Sequence, residues 1–539
     1  MKMLKLVWAL ALGAVFTWLL GRQPEPALAA GKQTSVAEFR FLRPALSSSS
    51  KESVYQAWSA TGNPAGTTAT WSRDIAPLLY KNCATCHHPG GAGPFSLLTY
   101  ADARRWAPQI LDVTQSRFMP PWLPEPGYGE FDDVRRLSDS DVELLKRWIK
   151  GGMASGELTT APPAPHYEPG WQMGKPDLVL KVAHPYTLAA GGTDVFVNLI
   201  LPYTLEQTHY IRAMEIRPGA PQVVHHANVV VDRGASLRRA HPNDWQAGIP
   251  GMELLVDAGN KFEPESHFLF WKPDTPVLIE PEGIPWRLDP GNDLILNIHL
   301  KPSGKPEELD AEVGLYFTPA PPSKQPMLLS LERDDKLDIP PGESAFVVED
   351  SLTLPVDVYV LGCYPHAHYL GHDMQGWATL PDGEKKWLVW IRSWDIDRQS
   401  VYRYKEPLLL PKGTVLHMKY TYDNSAANPH NPSNPPREVK FGEQTTNEMA
   451  FAFVSVTLDS PAMVPDFRAG VRAEFVANML ANGVDEEALG HERAGQLKLL
   501  LNAFDKNHNG KIDPEERQAV IDFLIKRAQQ QREHPAPQQ

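Results

Sequence analysis

Three groupings of residues have types and spacings suited to chemistry. The first is Cys83-Ala84-Thr85-Cys86-His87, a C-x-x-C-H motif. Two thiols at this spacing can form thioethers to the vinyl groups of a haem while the following His ligates its iron. A disulfide would not need the His, and a zinc pair would need two further ligands from a chain whose one other cysteine is Cys363. The reading is covalent haem c on Cys83, Cys86 and His87. Met119, in Arg117-Phe118-Met119-Pro120-Pro121-Trp122, is the candidate second axial ligand, with Met153 and His88 as rivals and plain packing as the alternative for Met119. His/Met ligation raises the haem potential and suits electron transfer.

The second grouping is a set of histidines: His225-His226 before a β-type run, His299 at the end of Leu294–Ile298, and His366-Ala367-His368. Alternation along a strand puts His366 and His368 on one face, within reach of one metal. Adjacent His225 and His226 point to opposite faces of a regular strand, so joint ligation requires a twist or a bulge. Taken singly, each is an ordinary core or surface histidine. Five imidazoles with a thioether suit copper, since imidazole serves both redox states and Met favours Cu(I), whereas zinc has no redox use beside a haem. The third grouping is Asp505-Lys506-Asn507-His508-Asn509-Gly510-Lys511-Ile512-Asp513-Pro514-Glu515-Glu516. It fits a 12-residue EF-hand loop for Ca2+, with oxygens from Asp505, Asn507, Asn509, Asp513 and Glu516, the backbone carbonyl of Lys511, and Gly510 at the sharp turn. An ordinary Asp/Asn-rich turn is the alternative.

The elements that must position these residues change character along the chain. Trp71 to about Ala154 has a helical pattern, with Ser138 as a helix cap and Gly151-Gly152 as its stop. From Asp177 to about Met463, short β-type runs such as Val195–Ile200 and Ala227–Val231 alternate with Pro/Gly/Asp clusters, the spacing of sandwiches or barrels. Past Pro465 the chain is helical again. The expected organisation is a signal peptide (1–29), a linker (30–66), a cytochrome c-like haem domain (67–157), a Pro-rich linker (158–176), two copper-binding β-sandwiches (177–325 and 326–463), a helical EF-hand segment (464–530) and a polar tail (531–539).

The stretch around the C-x-x-C-H motif resembles class I cytochrome c domains. The histidine region resembles the copper type II, ascorbate-dependent monooxygenases, a family that includes peptidylglycine α-hydroxylating monooxygenase and dopamine β-monooxygenase. The likeness rests on His225-His226 in VVHHANVV, His299 in ILNIHLKPSG, His366 and His368 in PHAHYLGH and Met449 in TTNEMAF, in the family's order. It implies two jelly-roll-like β-sandwiches facing across a solvent-filled cleft. One copper, on His225, His226 and His299, would deliver electrons; the other, on His366, His368 and Met449, would bind O2 and hydroxylate a substrate C–H bond. The amidating enzyme's carboxylate-binding Arg, Asn and Tyr correspond here to Tyr364, Phe451 and Phe453, none of which can pair with a carboxylate. A small neutral substrate is therefore expected. Cys363 is read as a buried apolar residue, with a soft ligand or a redox-sensitive thiol near copper as the alternative.

Composition narrows the partners. With 52 Lys+Arg against 65 Asp+Glu and a net charge of −13, the chain does not suit nucleic acid. Three cysteines cannot form a disulfide scaffold, and 51 prolines disfavour long helices. Lys2 and Lys5, the apolar run Leu6–Leu20 and Ala27-Leu28-Ala29 read as a cleaved export signal leaving no membrane span, hence a periplasmic or extracellular protein. The fold-class expectation is multidomain: an all-α cytochrome c-like domain, two jelly-roll-like antiparallel β-sandwiches and a small helical EF-hand segment. The functional expectation is an exported copper monooxygenase using O2 and electrons from ascorbate or a redox protein, delivered through the fused haem. The alternative is a copper/haem electron carrier without oxygenase activity.

Overall fold

The computed structural model describes residues 68–533 apart from 133, 168–169, 252–268, 274, 276, 443, 482 and 485–490. The expected signal peptide, the linker 30–66 and the end of the polar tail lie outside the described residues. After a π-helical turn at Trp71–Ile75 come α1 (Ala76–Asn82), α2 (Tyr100–Arg105), α3 (Ala107–Gln115) and α4 (Asp139–Lys150). Ser138 caps α4 by accepting from the Asp141 N–H, and Asp141 returns the bond, a reciprocal pair that satisfies two otherwise orphaned donors. Trp71, Ile75, Leu145 and Trp148 are buried together where these helices meet.

The chain is mostly β. One five-stranded antiparallel sheet orders Leu178–Lys181, Glu312–Thr318, His209–Arg217 and Val277–Ile279, with Trp286–Leu288 also paired to His209–Arg217. A second contains β1 (Val195–Leu201), β2 (Val224–Asp232), β3 (Ile249–Pro250), β4 (Leu269–Trp271) and β5 (Asp293–Leu300), in the order β3-β1-β5-β2-β4. These two sheets share one hydrophobic core. The third contains β6 (Gln325–Glu332), β7 (Val358–His366), β8 (Tyr402–Leu410) and β9 (Phe451–Leu458), in the order β6-β9-β7-β8. It shares a second core with a fourth sheet built from Phe346–Thr353, Val415–Tyr422, Gly371–Thr379 and Lys385–Ile391. Helices α5 (Val464–Ala481), α6 (His491–Phe504) and α7 (Pro514–Glu533) follow. Among the described residues no helix is long and apolar enough to cross a membrane.

This architecture corrects the expected fold class of an all-α cytochrome c-like domain, two jelly-roll-like β-sandwiches and an EF-hand segment. Sheets dominate, and among the described residues no all-α cytochrome domain is evident. The physical reason lies between α3 and α4. Pro120, Pro121, Pro124 and Pro126 forbid continued helix there, and the chain instead runs onto the third and fourth sheets. Leu123 and Phe131 are buried in the second β core. The Asp132 N–H donates to the Arg403 carbonyl at 2.8 Å, the Lys405 N–H to Glu130 at 2.9 Å and the Glu125 N–H to Trp390 at 2.8 Å. A segment expected to close a separate helical domain is thus tied to the β region.

Strand β5 anchors the second sheet. It pairs with β1 on one side and β2 on the other, and all eight of its residues are buried. Its one internal amide side chain, Asn297, donates to Asn198 Oδ1 on β1 at 3.0 Å, so burial leaves that donor satisfied. Truncating Leu296 at the centre of this strand opens a cavity that the two flanking strands cannot collapse to fill. Leu296→Ala should cost about 2–5 kcal/mol in chemical denaturation.

Candidate metal centre

Strand β2 departs from regular pairing at the point the ligand reading requires. His299 of β5 is opposite His226, but its neighbour Leu300 is opposite Val224, so His225 is the extra residue of a β-bulge. The bulge turns the His225 ring to the same side as its neighbours. His225 Nδ1 lies 3.0 Å from both His299 Nδ1 and His226 Nδ1, and one nitrogen from each ring falls within 4.8 Å of the others. The rings are braced from behind. His299 Nε2 donates to Asp194 Oδ2 at 2.8 Å, which leaves Nδ1 bare and more basic. Phe196 stacks on His299 with centroids 4.2 Å apart, and Phe270 on His226 at 5.1 Å. Burial, reinforced by neighbouring positive charge, lowers the pKa of His225 and His226 well below the ordinary imidazole value. The His225 and His226 rings are therefore neutral donors, the form a metal binds.

The second pair sits at the end of β7. His366 Nδ1 donates to Gln399 Oε1 at 2.7 Å and His368 Nδ1 to the Asn447 carbonyl at 3.0 Å. Each ring is thereby held with Nε2 bare, and the rings stand 5.2 Å apart and nearly perpendicular. Burial lowers the His366 pKa to about 3 and that of His368 to about 4. Met449 lies just before β9, half-buried, and its carbonyl accepts from the Tyr422 hydroxyl at 2.8 Å. One carboxylate joins its loop to the histidine pair. Glu448, 0% exposed, accepts from the backbone N–H groups of His368 (2.7 Å), Leu370 (2.6 Å) and Met449 (3.2 Å). Burial pushes its pKa up to about 8, against the pull of those backbone donors.

Both nitrogen sets fit copper or another borderline metal. The two clusters meet through aromatic rings. Phe270, stacked on His226, has its centroid 5.0 Å from that of Tyr364, which lies 5.9 Å from His366. Buried Lys272 donates to the Gln399 carbonyl at 3.0 Å. Where the family likeness implied a solvent-filled cleft, this chain places rings in contact. Tyr364, Phe451 and Phe453 form an aromatic wall beside His366, with Phe451 stacked on it at 4.6 Å.

At the C-x-x-C-H motif, Cys83 and Cys86 share one turn with His87, whose N–H donates to the Cys83 carbonyl at 2.9 Å. His87 Nδ1 donates to the Phe95 carbonyl at 3.0 Å, leaving Nε2 bare for an axial bond. Met119 follows α3 in a separate half-buried loop, its N–H bonded to the Val113 carbonyl at 2.9 Å. Its rivals are engaged elsewhere. His88 stacks on Tyr167 with centroids 3.8 Å apart and bonds the Ala84 carbonyl at 2.9 Å, while Met153 packs against the helical core. Cys363 is a core residue whose thiol burial pushes up to about 12, as a packing role requires.

In the acidic loop between α6 and α7, Asp505 accepts from the N–H groups of Asn509 (3.2 Å) and Gly510 (2.8 Å). Glu516 reaches back to the Lys506 and Asp513 N–H groups at 2.7 and 3.1 Å. Asp513 Oδ2 accepts from the Asn507 and Asn509 amides at 2.8 and 2.7 Å. Gly510 has φ +83°, the left-handed turn glycine adopts freely, and Lys511 bends its Nζ to within 3.6 Å of Asp513. The oxygens expected for Ca2+ thus gather in one loop.

Sequence reasoning missed Asp194, Gln399 and Glu448, the groups that orient the candidate ligands and their loop.

No protein-family profile matches the chain, and no curated protein matches it. Among solved structures, the major capsid protein P2 from bacteriophage PM2 aligns over 52% of this chain and 96% of its own, at 10% identity and a TM-score of 0.20. The VP2 subviral particle of infectious bursal disease virus aligns over 56% of this chain and 76% of its own, at 11% identity and a TM-score of 0.15. PNGF-II aligns over 52% of this chain and 65% of its own, at 9% identity and a TM-score of 0.20. Likeness at this level carries no argument about fold or function, which leaves the site chemistry to speak for itself.

The buried imidazoles of His225, His226, His366 and His368 set a pH dependence. In the unfolded chain they take protons near a pH of roughly 6.5, whereas in the fold they stay neutral well below it. Their contribution to stability is therefore complete above that pH and lost as pH falls toward about 4 and then about 3. The urea midpoint of the metal-free chain should drop on acidification through this window. The drop should be shallower in the His366→Asn/His368→Gln double variant.

Proposed function

We propose that this chain is a copper-dependent monooxygenase that hydroxylates a C–H bond of a small neutral substrate with O2, with electrons entering through a covalently attached haem c. The observation that carries the reading is the convergence of His225, His226 and His299 through a bulge, beside a second pair, His366 and His368, with matched bare nitrogens. When bound, copper supplies O2 activation at the His366/His368/Met449 site and a second electron from the other site. The balance is one oxygen atom into the C–H bond and one released as water, with two electrons and two protons taken up.

The chain's own residues do the rest. Gln399 and the Asn447 carbonyl hold the Nδ1 protons of His366 and His368, and Glu448 fixes the distance between that pair and the Met449 loop. Phe451, Phe453 and Tyr364 offer an apolar surface to a neutral substrate and keep water from the reacting bond. His87 and the thiols of Cys83 and Cys86 would hold the haem, with Met119 as its second ligand and ascorbate or a redox protein as the outside donor. A calcium ion in the Asp505–Glu516 loop would replace the internal amide bonds to Asp513 and brace α6 against α7.

Met449→Ile tests the assignment directly. Substrate-dependent O2 uptake by the copper-loaded chain should vanish while the haem absorbance per chain is unchanged, and retained turnover rules the site out. Calcium should raise the thermal midpoint of the wild-type chain but not that of Asp505→Ala. A second reading, a copper/haem electron carrier, is favoured by the ring contact of Phe270 with Tyr364, which leaves the clusters joined rather than parted. It predicts reducible metals with no substrate-dependent O2 uptake.

A further inference from the structure

Three consecutive residues in a single turn each reach a different candidate centre. Asp397 Oδ1 lies 3.6 Å from the buried His225 Nε2 and also pairs with Lys301 Nζ. Arg398 Nη1 donates to the Arg117 carbonyl at 3.1 Å, and its guanidinium sits 5.1 Å from the Phe118 ring centroid. Arg117 and Phe118 immediately precede Met119. Gln399 Oε1 accepts from both His366 Nδ1 (2.7 Å) and the Tyr364 hydroxyl (2.8 Å), using both lone pairs of one oxygen.

The turn has no slack. Ile396–Arg398 is a 3-10 turn capped by Asp395, whose side chain accepts from the Asp397 N–H at 2.9 Å and from Arg398 Nε at 2.7 Å. Gln399 is 1% exposed, and its carbonyl is held by Lys272. Rise in such a turn is about 2 Å per residue, so Asp397, Arg398 and Gln399 stand within one turn of each other.

We propose that the Asp395–Gln399 turn is the junction coupling the Met119 segment to both imidazole clusters. Gln399 and Asp397 are its positioning residues, and Arg398 is its link to the segment. The inference deepens the copper reading above and rests on it for one of its two readouts. Gln399 accepts from His366 and so dictates which ring nitrogen is bare; Asp397 lies beside the outer nitrogen of His225 and pairs with Lys301, whose charge acts on that ring. Arg398 touches neither cluster, which makes it the informative residue.

The test compares the full-length, copper-loaded wild type with Gln399→Leu, Arg398→Ala and Phe118→Ala, by Cu(II) electron paramagnetic resonance and copper per chain. Phe118 is 47% exposed, so its truncation leaves the fold intact. Gln399→Leu should weaken copper at the His366/His368 pair by roughly 10–100-fold, the usual effect of removing a ligand's hydrogen-bond partner. Arg398→Ala and Phe118→Ala should each shift the copper hyperfine splitting in the direction of Gln399→Leu. Spectra from both that superimpose on wild type overturn the junction. Should the wild-type chain take up no copper, the copper reading fails by itself, and the junction is then read in the metal-free chain. There the 15N shifts of the His366 ring should report a changed tautomer balance in the same variants, and unchanged shifts overturn it.

Discussion

Burying an imidazole that must still bind a metal imposes one constraint: the ring has to be neutral, with one nitrogen committed to an acceptor and the other left bare. Burial alone secures neutrality, because a charged ring in apolar surroundings is costly. Commitment needs a specific oxygen. Asp194 provides it for His299, Gln399 for His366 and the Asn447 carbonyl for His368. Each acceptor comes from a different part of the chain than its ring, so the sheets have to close before any ligand is oriented. The candidate metal sites are in this sense a product of the tertiary fold rather than of the strands that carry them.

The same constraint explains which parts were readable in advance. The candidate ligand residues stood out in the sequence because histidines at i, i+2 on a strand, or paired at a strand start, have few other uses in combination. The need for a bulge at His225 followed from strand geometry alone, since neighbours on a regular strand face apart. The orienting groups were not legible. Asp194, Gln399 and Glu448 act through contacts across 105, 33 and 80 residues of sequence, and no local pattern distinguishes them from surface residues. The predicted helical domain failed for a related reason. The α4 cap at Ser138 was evident, but nothing local showed that the proline-rich stretch after Met119 would pack Leu123 and Phe131 into a β core.

That misjudged stretch matters functionally, because it brings the residues before Met119 against the turn that holds His366. A chain in which haem and metal segments merely sat in tandem would rely on a flexible tether and on effective concentration to pass electrons. Here the segment is fastened by backbone hydrogen bonds to β8 and by Arg398. The aromatic contact of Phe270 with Tyr364 closes the gap between the two imidazole clusters. Under the proposed function, fixed geometry of this kind would favour one defined route over diffusional encounter, with the apolar wall at Phe451 and Phe453 as the surface offered to substrate.

The central claim is that two separate metal sites are built from these five imidazoles and one thioether. Elemental analysis of the copper-loaded, gel-filtered chain tests it most directly, comparing wild type with His226→Ala and with His368→Ala. The account predicts two coppers per chain in the wild type and the loss of one in each variant, with the remaining site keeping its spectrum. Copper that is absent from the wild type, or unchanged in both variants, would contradict it.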